Sequence, residues 1–278
     1  MNKKSLLQSI LILLFILVLY IPVYSSLYER FTAENTYYSH GFLIPLVSLY
    51  LAWRKKRLLE ALPARSSVLG LGVLLGGLLI YFLGLSFKVN FIAYLSIPLV
   101  IWGIILYLKG MAWARALFFP VAFLVFMLPL PQVFVIAIAF QMKLWAADMA
   151  AFFLRLAGLE VISSGSKISY PGGFLMVGDP CSGLRSLISF LALGALFSQL
   201  VRCAFPRKIV LLFSTVPIAL LSNVARIMFL VVVSFFYGQE VALGFLHDAS
   251  GVAVFVLGFI GLILVSKGLR CHLNLENT

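Results

Sequence analysis

The segment from Gly178 to Leu187, GDPCSGLRSL, sets a cysteine at the mouth of a long apolar run. Asp179 and Pro180 can start a helix, and Ser182 through Val201 is almost wholly apolar. A thiol at a helix N-terminus feels the positive end of the dipole, which predicts a thiolate at Cys181. Arg226 stands inside another apolar run, where an ionisable group is expensive and its default reading is function. His247 precedes the last apolar run and carries an imidazole, which titrates near neutrality. Together these are parts for acyl transfer. The thiol attacks, the imidazole moves the proton, and the guanidinium, always protonated, stabilises an oxyanion or holds a carbonyl.

Supporting candidates surround the three. Asn223 lies three residues before Arg226 on the same helix face and could add a donor. Ser182 and Gly183 follow the cysteine, and Arg185, one turn beyond it, is a second arginine that could serve the thiolate. His40, in YYSHG, is a rival base or a substrate contact. Asp248 can cap the last helix. Taken singly, Cys181 also reads as a structural residue, and His247 as a surface or capping histidine.

The elements that must position these residues are membrane helices. The chain of 278 residues is 63% hydrophobic and 11% charged, with mean hydropathy +1.11. Soluble domains carry about 25% charged residues. This composition predicts an all-α polytopic membrane protein folded as a single domain over 1–278, with no extra C-terminal soluble domain. A crossing helix needs about 20 apolar residues. About eight runs qualify: roughly 5–27, 38–53, 67–87, 90–108, 113–130, 182–201, 208–236 and 248–267. The charged start of the first resembles a signal peptide, but its run is long and no A-x-A site follows, so it reads as a retained span.

Charge gives orientation. Lys3, Lys4, Arg54 to Arg57, Arg65, Lys109, Arg115, Arg202, Arg207, Lys208, Lys267 and Arg270 fall in one set of loops. The alternate loops hold only Arg30, Lys88, Lys143, Arg155 and Lys167. The positive-inside rule then puts both termini in the cytoplasm. The net charge of +12 is therefore topological and implies no nucleic acid. Arg226 lies eighteen residues beyond Lys208, about 27 Å along a helix, near the outer edge of a hydrocarbon core about 30 Å thick. Cys181 and His247 begin spans that end at cytoplasmic Arg202 and Lys267. All three reach the outer face.

Parity requires that 132–157 not cross. Gln141, Asp148 and Arg155 recur every seven residues, predicting an amphipathic helix on the outer surface. Residues 160–178, with Pro171-Gly172-Gly173, predict a short hairpin, so 132–180 forms an outer-face cap leading to Cys181. Three cysteines make no disulfide framework, and Cys203 and Cys271 are expected to fill space. No His, Cys and carboxylate cluster has ligand spacing, so neither metal nor cofactor is expected.

Four motifs, in order, resemble the exosortase/archaeosortase family of membrane transpeptidases. They are YYSHGFLIPLVSLYLAWRKK (37–56), DPCSGLRSL (179–187), PIALLSNVARI (217–227) and LHDASG (246–251). The resemblance implies that Cys181, Arg226 and His247 match the family's proposed catalytic residues. It implies exported protein substrates with a C-terminal sorting signal: a Pro-Glu-Pro-like motif (PEP-CTERM), a membrane helix and a basic cluster. It further implies cleavage at the outer face of the cytoplasmic membrane and transfer to an unknown acceptor linked to exopolysaccharide or surface export. The rival readings are a transporter that uses the intramembrane arginines, and a non-catalytic subunit of a polysaccharide synthesis complex.

Overall fold

The computed structural model describes residues 14–34 and 36–273. The start of the first expected span, 5–13, lies outside the described residues. Contacts divide the chain into two compact units that meet in sequence at Pro131 and Gln132.

In the first unit, helical residues 14–19 lead into α1 (Ile21–Thr32). A 3-10 turn (Ser39–Phe42) and α2 (Leu43–Arg54) follow, then the short α3 (Lys56–Ala61). Next come α4 (Val68–Ser86), α5 (Asn90–Lys109), α6 (Met111–Ala116) and α7 (Phe118–Phe123). Helices α4 and α5 form a close hairpin. Gly70, Gly77 and Gly84 face Tyr107, Val100 and Ala93, and a Cβ at Gly70 or Gly84 would run into the backbone of α5. Lipid tails are as apolar as leucine, so close approach of small residues, not exclusion of water, holds such helices together. Polar stitches add to it. Tyr20 and Ser96 share a 2.6 Å hydrogen bond, as do Ser26 and Tyr94. The expected span 113–130 is instead α6, α7 and a 3-10 turn (Leu124–Met127), because Leu117 steps out of helical geometry between them.

The second unit opens with α8 (Gln132–Leu156). It continues through β1 (Ile162–Ser164), β2 (Lys167–Tyr170) and β3 (Gly173–Met176). These strands form an antiparallel meander of three, where a two-stranded hairpin was expected. The extra strand follows from a second tight turn, at Gly165-Ser166, where Gly165 takes φ +62°. Pro171-Gly172 makes the other turn, with Gly172 at φ +88°, the pairing a type II turn requires.

A 3-10 turn (Asp179–Cys181) precedes α9 (Leu184–Leu200) and β4 (Val201–Arg202). Then come α10 (Phe205–Phe213), α11 (Thr215–Tyr237), α12 (Gln239–Leu243), α13 (Phe245–Gly268) and β5 (His272–Leu273). Ala146, Ala147, Ala150 and Ala151 on α8 are fully buried, so α11 and the sheet approach closely. Ile168 and Leu175 from the sheet and Val224, Ile227 and Val231 from α11 complete that core, which includes Cys181.

Helix α8 is long and apolar enough to cross a membrane, as are α4, α5, the α10–α11 run and α13. The chain is an all-α polytopic membrane protein with a small β element. The polar stripe Gln141, Asp148, Arg155 is exposed on α8, but so are Phe134, Ile136, Phe140, Trp145 and Phe152. The amphipathic pattern is weaker than three residues suggest.

One expectation fails outright. Cys203 and Cys271 are joined as a disulfide. Pairing of β4 with β5 brings the residues that follow α9 and α13 side by side, so both sulfurs meet. Cys181 is the free cysteine.

Candidate active site

The second unit gathers the chemistry around the turn that carries Cys181. Asp179 and Pro180 open that turn, and the amides of Cys181 and Ser182 close it onto the carbonyls of Gly178 and Asp179. Lys143, from α8, reaches the Asp179 carboxylate at 2.9 Å and ties the turn to the helix. Gly183 then adopts φ +81°, a left-handed conformation that separates the turn from the regular helix beginning at Leu184. The Oγ of Ser182, itself buried, lies 3.4 Å from the Leu184 amide.

Cys181 is 5% exposed, and its Sγ lies 3.1 Å from Nε2 of His247. Helix α13 begins at Phe245, so His247 and Asp248 sit inside its first turn instead of preceding it. Asp248 therefore does not occupy the capping position, and its side chain lies outside the described residues. Nη2 of Arg226 lies 3.3 Å from the same Nε2 and donates to the His247 carbonyl at 2.8 Å. Nε of Arg226 donates to Ser250 Oγ at 3.0 Å, and that hydroxyl donates to the His247 carbonyl at 2.8 Å. A guanidinium can only donate, so Nε2 accepts from it, and a neutral His247 carries its hydrogen on Nδ1. Nε2 is then the acceptor that faces the thiol.

The thiolate expectation needs correction. Burial pushes the Cys181 thiol above its ordinary range, and the nearby Arg226 charge only opposes that. Cys181 also sits ahead of α9, beyond the left-handed glycine, and is not in the helix's first turn. Burial therefore favours a neutral thiol at Cys181. The 3.1 Å contact gives such a thiol a direct path for proton transfer to His247.

The remaining candidates separate. Asn223 is fully buried, and its Nδ2 donates to the Cys181 carbonyl at 2.8 Å, so that donor already has a protein acceptor. Arg185 stands in the first turn of α9, with its Nε buried and without a hydrogen-bond partner. His40 belongs to the first unit, in the 3-10 turn after α1, whereas Cys181, His247 and Arg226 all belong to the second. Ser250 is a contributor the sequence reading did not single out. Its signal was its place three residues after His247 in LHDASG, on the same helix face.

A groove of about 360 Å³ runs between α11 and α13 with Arg226 and Ser250 in its wall. Phe229, Leu246, Ala253 and Leu257 make the rest largely apolar. Among the described residues no three His, Cys, Asp or Glu side chains group to hold a metal ion.

A family model described as transmembrane exosortase matches residues 32–264, a stretch that includes Cys181, Arg226 and His247 and runs through both units. No curated protein and no solved structure matches the chain.

Proposed function

The chain belongs to the transmembrane exosortase family, and from that membership we propose that Cys181, His247 and Arg226 perform its sorting reaction on exported proteins. The observation that carries this reading is the shared atom. Nε2 of His247 stands 3.1 Å from the thiol and 3.3 Å from the guanidinium, so nucleophile and charged donor converge on one imidazole nitrogen.

The reaction follows from these positions. Nε2 takes the thiol proton as Sγ attacks the scissile carbonyl, and the new C–S bond places negative charge on the carbonyl oxygen. The Cys181 and Ser182 amides are engaged within their own turn. The Arg226 guanidinium, a positively charged donor 3.3 Å from the base, is the group assigned to that oxyanion. Collapse breaks the C–N bond, the imidazolium returns its proton to the leaving amine, and a thioester remains on Cys181. An acceptor nucleophile then attacks the thioester, and the thiol re-forms.

The substrate is an exported protein with a C-terminal signal of the PEP-CTERM kind, and the acceptor is linked to exopolysaccharide or surface export. The site faces outward from the cytoplasmic membrane, with both termini in the cytoplasm. The uneven division of Lys and Arg between alternate loops supports that orientation. It also requires that only one of the broken run 113–130 and α8 cross, since crossings by both would turn the site inward. Labelling Cys181 in intact cells with a membrane-impermeant maleimide decides between the two, because only an outward site reacts.

The functional test is co-expression with a tagged exported protein bearing such a tail, with tail removal scored by blot. Processing by the parent chain and none by Cys181→Ala at equal membrane abundance is the expected result. Equal processing by both overturns the assignment of the nucleophile and favours a non-catalytic role.

A further inference from the structure

The two polar groups of Asn223 have unequal fates. Its side chain is fully buried on α11, and Nδ2 donates to the Cys181 carbonyl at 2.8 Å. Because a carbonyl only accepts, that contact fixes which way the amide points. Oδ1 is left buried with no hydrogen-bond partner. A buried amide oxygen without a partner is destabilising, and an apolar residue of similar shape would avoid it. Packing alone therefore gives no reason for asparagine here.

Gly183 supplies the second half of the arrangement. A Cβ built on it would lie 2.9 Å from Asn223 Nδ2 and 3.0 Å from its Cγ. The amide thus lies against the bare Cα of Gly183 while it holds the carbonyl two residues earlier. The positive φ of Gly183 turns the chain out of helical continuity at that point. The amide side of Cys181 is fixed separately, by its hydrogen bond to Gly178.

We infer that Asn223 and Gly183 form a positioning device that sets the Cys181 thiol against His247 from the same helix that carries Arg226. Asn223 precedes Arg226 by three residues on α11, so thiol and guanidinium are referenced to one rigid element. The device deepens the proposed function and rests on its reading of Cys181 as the nucleophile. Asn223 touches no reacting atom in this scheme. It acts by keeping Sγ within reach of Nε2.

The test uses alkylation of Cys181 by iodoacetamide in isolated membranes. Cys203 and Cys271, paired in the structure but cytoplasmic in the proposed orientation, are both replaced by serine throughout, so that Cys181 is the thiol that reacts. Rates are measured from pH 6 to 10 for the parent, Asn223→Ala, His247→Ala and the double variant, each normalised to its membrane abundance. In the parent, His247→Ala should slow alkylation at least tenfold at pH 7. In the Asn223→Ala background the same change should matter less than twofold. Asn223→Ser repeats the comparison with a smaller perturbation of packing should the alanine variant be poorly folded. A His247 effect of unchanged size in both Asn223 variants overturns the inference, and so does the lack of any His247 effect in the parent. Tail processing by Cys181→Ala judges the functional reading independently, because alkylation requires no substrate.

Discussion

Replacing Arg226 by lysine keeps the charge and removes the fork. In the parent chain, Nε holds Ser250 at 3.0 Å while Nη2 holds the His247 carbonyl at 2.8 Å. A lysine ammonium is a point donor on a flexible stem and cannot span both partners. At least one hydrogen bond to a charged group is lost, worth about 1.5–3 kcal/mol. Expressed fully in the transition state, at tenfold per 1.36 kcal/mol, this predicts a rate roughly 10- to 150-fold lower. Arg226→Ala also strips the charge and deprives the His247 carbonyl and Ser250 of the guanidinium, so its processing should be undetectable. Ser250→Ala loses the Nε contact and the hydroxyl's bond to the His247 carbonyl but keeps the guanidinium on that carbonyl, and should fall between Arg226→Lys and the parent. The assay is pulse–chase of tail removal from a tagged exported substrate, at matched membrane abundance. Arg226→Lys processing at the parental rate would refute the geometric role given to the guanidinium.

Three further outcomes are expected. Burial holds the Cys181 thiol above its ordinary range in the folded chain, with Arg226 opposing. Its stabilising contribution is therefore complete below the unfolded value of about 8.5 and is lost as pH rises toward the folded value. The melting temperature of the parent should fall relative to Cys181→Ser between pH 8 and 10, and a constant difference would contradict the shift. Breaking the Cys203–Cys271 link, which closes a sequence separation of 68, should cost about 2–4 kcal/mol. Cys203→Ser is checked by the melting temperature in detergent, and mass spectrometry without reductant should find the linked peptides in the parent. Gly84→Leu would drive a side chain into the backbone of Ala93, and size-exclusion chromatography should show marked loss of monodisperse protein.

Much of this site is legible in the sequence because membrane chains spend polar residues sparingly. Cys181, Arg226 and His247 stand out against apolar surroundings, and loop charges suffice to place them at one depth. Finer geometry is not legible that way. A dipole argument for Cys181 assumes that the helix begins at the cysteine, whereas Gly183 interrupts it and burial dominates the thiol. Ser250 is hidden because serine is common in membrane helices, and only its hydrogen bonds to Arg226 and the His247 carbonyl distinguish it. The Cys203–Cys271 pairing depends on two short strands meeting across 68 residues, which no local pattern announces. The seven-residue spacing of Gln141, Asp148 and Arg155 is real, but it shares its exposed surface with large apolar side chains.

The glycine-faced pairing of α4 with α5 bears on the order in which the protein is made. Its contacts join neighbours in sequence, so the pair is complete once the ribosome has delivered residues through Lys109. A hairpin already closed backbone to backbone can leave the translocation machinery for the bilayer as one body, without either helix waiting for a later partner. The thiol and its base obey the opposite schedule. Cys181 and His247 are 66 residues apart, and the base arrives on the last long helix. Under the proposed mechanism a nascent chain therefore carries its nucleophile through 66 further residues without the group that activates it, and sorting chemistry begins only after α13 is inserted.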